Sequence, residues 1–120
     1  MEKPNAETVA HYEALLPADP RVAPGKMFGH VCAFTGGHMF FGTFAQTLIA
    51  RVGPDRVPEL LDAEGLAQFE PMPGRPWREY VQFDPRAMDP DEARTLVADA
   101  LEFTAGLPPK PRKVKAAKKK

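Results

Sequence analysis

Apolar positions at helical spacing open the chain: Val9, Tyr12, Leu15 and Leu16 recur behind Asn5, a good N-cap, and ahead of Pro17, a helix stop. This pattern predicts a helix over about 6–16. The stretch from Asp19 to Gly25 holds two prolines and a glycine and reads as a loop. Phe, Val, Ile, Thr and Met then dominate up to Val52, broken at Gly36-Gly37, a dipeptide suited to a two-residue hairpin turn because both residues accept positive φ. Strands are predicted at about 29–35, 38–44 and 47–52. In the third, Leu48, Ala50 and Val52 alternate with Thr47, Ile49 and Arg51, the period of a half-buried strand.

Further on, Pro54 and Asp55 predict a short connecting helix to about residue 64, with Val57, Leu60 and Leu61 inward and Gly65 at its C-cap. Phe69 belongs to a brief strand. The run from Pro71 to Pro76 must be an irregular loop, since its three prolines lack ladder donors. A last strand is expected over 79–83. Asp89-Pro90-Asp91-Glu92 then supplies a cap, a first-turn proline and acids at the positive end of a helix that continues through Leu96, Val97, Ala100, Leu101 and Phe103 to Gly106. The sum is an α+β chain with a mainly antiparallel, five-stranded sheet.

Composition changes this picture in one respect. A chain of 120 residues fits a single core, and no apolar run approaches the roughly 18 residues of a membrane span. The charged N-terminal residues have no signal-peptide character, and one cysteine, Cys32, allows no internal disulfide, so a cytoplasmic protein without membrane contact is expected. The formal net charge of zero conceals a division. Up to Leu107, nine basic residues face sixteen acidic ones, a net −7; the last thirteen positions carry Lys110, Arg112, Lys113, Lys115, Lys118, Lys119 and Lys120 and no acid, a net +7. The expectation is a folded acidic domain over 1–107 and a disordered basic tail over 108–120. The tail is a candidate for salt-sensitive nucleic-acid contact, although no aromatic residue interleaves its lysines to stack on bases.

His30, Cys32 and His38 invite a metal reading because imidazole and thiolate are common zinc ligands. If Gly36-Gly37 is the turn, however, Thr35 opposes His38, Phe34 opposes Met39, Cys32 opposes Phe41 and His30 opposes Thr43. His38 then points away from the other two, too few ligands remain, and neither metal nor cofactor is expected. The same register puts Val31, Ala33, Phe40 and Phe44 together on a second apolar face. A homodimer, another protein, or the sheet curling beneath a loop or the first helix would cover that face; the pattern leaves these open. The loop around Arg75 and Trp77 carries residue types favoured at binding hot spots, yet a rigid crossover with Trp77 packed inward fits better. No nucleophile elbow, phosphate loop or paired metal motif occurs, so no catalytic residue is assigned.

Lys26-Met27-Phe28-Gly29, Gly36-Gly37-His38-Met39-Phe40, Thr47-Leu48-Ile49-Ala50-Arg51-Val52 and Phe69-Glu70-Pro71-Met72-Pro73-Gly74-Arg75-Pro76, followed by Arg78-Glu79-Tyr80-Val81 and Leu107-Pro108-Pro109-Lys110, form an ordered set. In this set the chain resembles the N-terminal domain of the TfoX/Sxy family of competence regulators. The pattern departs from the family at His30, where a small residue is frequent, and the C-terminal domain of the longer regulators does not follow. The resemblance implies a two-layer domain with helices on one side of the sheet, similar in outline to secretion chaperones. It also implies a non-catalytic regulatory or protein-interaction module, with weak nucleic-acid association through the tail as the alternative.

Overall fold

The computed structural model describes residues 3–27, 29–62 and 65–108. The seven basic residues from Lys110 to Lys120 lie outside the described residues. In chain order the elements are α1 (Ala6–Leu15), β1 (Ala23–Met27), β2 (His30–Thr35), β3 (His38–Phe44), β4 (Thr47–Arg51), α2 (Arg56–Leu60), β5 (Leu66–Gln68), β6 (Tyr80–Phe83) and α3 (Pro90–Ala105). Among the described residues six strands, where five are expected from sequence, form one sheet in the order β1-β2-β3-β4-β6-β5, with every pairing antiparallel. Among the described residues no helix is long and apolar enough to cross a membrane.

The additional strand is β1, cut from the segment read as loop. Pro24 and Gly25 lower strand propensity, but β1 is an edge that pairs only with β2, where a missing proline donor costs little. Gly25 has a packing role: a Cβ there would stand 2.8 Å from the Phe34 ring, which lies across it.

Helices cover one face of the sheet. α3 is capped by the Asp89 carboxylate, which accepts from the backbone N–H groups of Asp91 and Glu92, and it buries Ala93, Leu96, Val97, Ala100, Leu101 and Thr104 at helical spacing. α1 buries Thr8 and Tyr12, and the Tyr12 ring stacks on Phe41 at 4.9 Å. Between them and the sheet lies a core that includes Ala33, Phe40, Phe41, Leu48, Ala50, Val81 and Phe83. α2 is shorter than its pattern suggests: Val57 is buried, but Leu61, expected inward, falls after the last helical turn and is 38% exposed.

The first hairpin follows its expected register only near the turn. Thr35 pairs with His38 and Phe34 with Met39, but then Ala33 pairs with Phe41 and Cys32 with Gly42. Phe40 is therefore an extra residue in β3, a bulge that puts two successive side chains, Phe40 and Phe41, into the helix-side core. Beyond it every β3 side chain changes face relative to an unbroken ladder.

At the far end of β3, the turn to β4 passes through Ala45 at φ 52°, the left-handed region that a Cβ disfavours. It is held there by its neighbour. The Gln46 side-chain oxygen accepts from the Asn5 N–H and the Thr8 hydroxyl, its amide donates to the Lys3 carbonyl, and its own carbonyl accepts from Arg86. The turn thereby anchors the start of α1.

Two stability measurements test these placements. Ala45→Gly relieves the Cβ clash against a smaller entropic loss, so its urea midpoint should rise by the equivalent of a few tenths to about 1 kcal/mol at unchanged m-value. Phe40→Ala, at a site of 0% exposure, should cost about 3–5 kcal/mol; a loss below about 1 kcal/mol would mean the bulge side chain is not in the core.

Candidate functional site

The face of the sheet away from the helices is also apolar. Cys32, Met39, Ile49 and Phe69 are buried there, and Met27, Phe34, Phe44, Trp77 and Tyr80 pack against them. Its cover is the chain between β5 and β6. Phe69 meets Phe44 at 5.0 Å and Trp77 at 5.0 Å, both edge-on, and Trp77 meets Tyr80 at 5.2 Å, giving a run of edge-to-face rings from β3 to β6.

This loop is rigid for identifiable reasons. Met72-Pro73-Gly74-Arg75 closes with a 2.9 Å bond from the Arg75 N–H to the Met72 carbonyl, and Gly74 has φ 78°. Proline then glycine at the two central positions is the signature of a type II turn. The Glu70 carboxylate accepts from the Gly74 N–H at 2.6 Å. At the base of the loop, the Gln68 side-chain amide donates to the Trp77 carbonyl at 2.7 Å and to those of Phe69 and Tyr80 at 3.2 Å, while the Trp77 N–H donates to Phe69. One glutamine thus ties both ends of the crossover together.

Between loop and sheet a small apolar cavity of about 70 Å³ stays open, bounded by Met27, His30, Cys32, Met39, Phe44 and Trp77 among others. The His30 ring is stacked near Phe44, with centroids 6.0 Å apart. Burial pushes the Cys32 thiol pKa up, which favours the neutral, poorly nucleophilic form. In the covering loop, next in sequence to Pro71, which lines the cavity, Met72 is 59% exposed, the most exposed large hydrophobic side chain among the described residues. Among those residues no three His, Cys, Asp or Glu side chains gather where they could hold a metal ion.

Beside the cavity, the Tyr80 hydroxyl donates to the Met39 carbonyl at 2.7 Å, and the Arg51 guanidinium lies 5.8 Å from the Tyr80 ring centre. Arg51 also pairs with Glu79 at 2.8 Å and approaches His38 Nδ1 at 3.5 Å; His38 Nε2 is 2.9 Å from the Pro108 carbonyl. A His38 with Nδ1 accepting and Nε2–H donating satisfies both contacts. His38 is thereby a structural link between the sheet and the chain beyond α3.

The candidate residues from sequence do not form one patch. Val31, Ala33 and Phe40 belong to the helix-side core, with Ala33 and Phe40 at 0% exposure, so they need no cover from a partner; only Phe44 lies on the opposite face. The bulge is the reason, since it moves Phe40 and Phe44 to opposite faces. A second apolar face does exist, built, apart from Phe44, from other residues and largely covered by the loop. Trp77 packs inward, half-buried, while Arg75 is exposed on the turn. Met72 was missed, because a methionine between prolines gives no periodic signal.

The chain's two tyrosines report on the two faces. Burial pushes Tyr80 up to about 12 from the usual 10, with Arg51 acting in the opposite direction; burial also raises Tyr12. A folded state that keeps its phenol protons while the unfolded chain releases them loses stability as pH rises above 10. Absorbance at the tyrosinate band should therefore stay flat through pH 10 in the folded protein. A titration centred at 10 would place both rings in solvent.

No curated protein and no solved structure matches the chain. The model of the TfoX N-terminal domain matches residues 14–104, which include all six strands and nearly all of α3. The chain belongs to the TfoX N-terminal domain family.

Proposed function

We propose that this chain is a non-catalytic regulatory module that works by protein contact, with the cavity beneath the Phe69–Trp77 loop as its receptor for an apolar side chain of a protein partner. The observation that carries this reading is the apolar cavity left open beneath the loop that also carries the exposed Met72, on the face of the sheet away from the helices. Aromatic walls supply contact area at low entropic cost, and the rigid turn keeps Met72 in place before a partner arrives. The thiol that borders the cavity is held in its protonated form, which suits packing better than nucleophilic chemistry.

A second copy of the chain is one partner with the right chemistry. Each copy presents an exposed loop methionine and a cavity beneath that loop, so a two-fold arrangement would use both twice. Sedimentation velocity should then show a dimer that gains population with concentration, and Met72→Glu should weaken it at least tenfold. A strict monomer at the highest soluble concentration would remove self-association from this proposal.

The wider reading is tested by affinity purification from the native cell with the full chain, Met72→Glu, and Glu13→Ala, on the exposed side of α1, as a surface control. A specific partner should be held by the first and third and lost by Met72→Glu. Identical partner sets for all three would exclude the Met72 loop as the contact.

A further inference from the structure

A second concave surface lies on the helix side of the sheet. Where α2, β5 and the first half of α3 meet, a groove of about 380 Å³ has Leu60, Leu66, Met88 and Leu96 along its floor and Asp91, Glu92 and Asp99 along its α3 wall. Arg56 is the cation at its edge, and it is shared between Asp99 and Glu59, each at 3.5 Å. Asp91 is paired with Arg94 at 2.7 Å, but both side chains are more than half exposed, so the pair neutralises little of the local field. The segments that flank the groove add Asp55 and Asp62, leaving six acids against two arginines. The surface calls for a strongly basic occupant with a small apolar residue among its charges.

The chain itself contains such a segment. We propose that residues Lys110–Lys120 of the same chain dock in this groove, with Val114 toward the leucine and methionine floor and the flanking lysines along the Asp91, Glu92 and Asp99 wall. Charge is the first argument: +7 in the last thirteen residues faces a body of −7, whose own field favours this segment over phosphate. Reach is the second. The chain leaves α3 at Ala105, and its Pro108 carbonyl is fixed against His38. Asp91 lies fourteen residues back from Ala105 along α3, about 21 Å at the helical rise of ~1.5 Å per residue. The twelve residues after Pro108 extend to about 40 Å. A chain that doubles back along α3 passes Asp99 first and reaches Asp91 and Glu92 with residues to spare. Such docking occupies the groove against any other basic peptide and keeps the lysines from a polyanion.

Amide chemical shifts of the full chain test the proposal. Between about 20 mM and 500 mM salt, where screening shortens from roughly 20 Å to 4 Å, the amides of Leu60, Leu66 and Met88 to Asp99 should move together while those of β1 stay fixed. Lys113→Glu/Lys115→Glu/Lys118→Glu should produce the high-salt positions at low salt. Adding Asp91→Lys/Glu92→Lys to that variant should restore the salt dependence, a rescue that a general loss of folding cannot give. The groove shifts should be independent of protein concentration. Three outcomes overturn the proposal: groove amides indifferent to the tail substitutions, shifts that vanish on dilution and so belong to a second copy, or tail-dependent binding of a DNA duplex at low salt without any groove response.

Discussion

The arrangement of this domain depends on one extra residue in a strand. Because Phe40 is inserted opposite the Ala33–Phe34 step, β3 presents Phe40 and Phe41 in succession to the helices, and from Phe41 onward its side chains are inverted. Without the bulge, Phe41 would leave the ring of Tyr12 and Phe44 would leave Phe69. The two apolar clusters therefore owe their composition to a single local irregularity, placed next to the hairpin turn, where bulges add twist at little cost to the ladder. Gly42, directly after the aromatic pair, completes the device: a Cβ there would stand 2.8 Å from the Cys32 Cβ.

Much of the fold is legible from periodicity. The spacing in α3 and the alternation in β4 each correspond to a surface that must be buried, so Leu96, Val97, Leu101, Leu48 and Ala50 are found where their pattern puts them. What periodicity does not carry is registry between strands. A strand's period of two is satisfied by a run such as Met39–Phe44 in either of two ways, and five of those six residues are buried. The outcome is decided by three-dimensional fit of ring against ring. β1 is hidden for a different reason: local propensity at Pro24 and Gly25 opposes a strand, and pairing with β2 overrides it. The candidate site shared this fate, since Phe44 and Trp77 were legible as apolar groups while Met72 and the cavity exist only through the turn.

The acidic character of the folded body is also organised by the fold. Arg51, with Glu79, His38 and the Tyr80 ring around it, secures one end of the sheet, whereas Arg21 ties Asp19 to Glu102 at the surface and holds Asp19 down to about 2. The arginines are thus used mainly as crosslinks between elements distant in sequence. Along α2 and the first half of α3, acids outnumber these crosslinks, and this is the region where an uncompensated field remains.

The two faces of the sheet are closed by unlike means, with a consequence for dynamics. On one, α3 buries a continuous helical stripe, and opening it would expose the largest apolar surface in the molecule. On the other, the cover is a short crossover whose ends share one side-chain amide, that of Gln68, and whose contact with the sheet is a row of ring edges. Opening free energy scales with the buried contacts and backbone bonds given up, so the loop side is the lower-stability face. On the proposed reading, a partner side chain would fill the cavity already open beneath the loop and leave the helix-side core intact. On that reading, protein contact and the main core would thus fall on opposite faces of a single sheet.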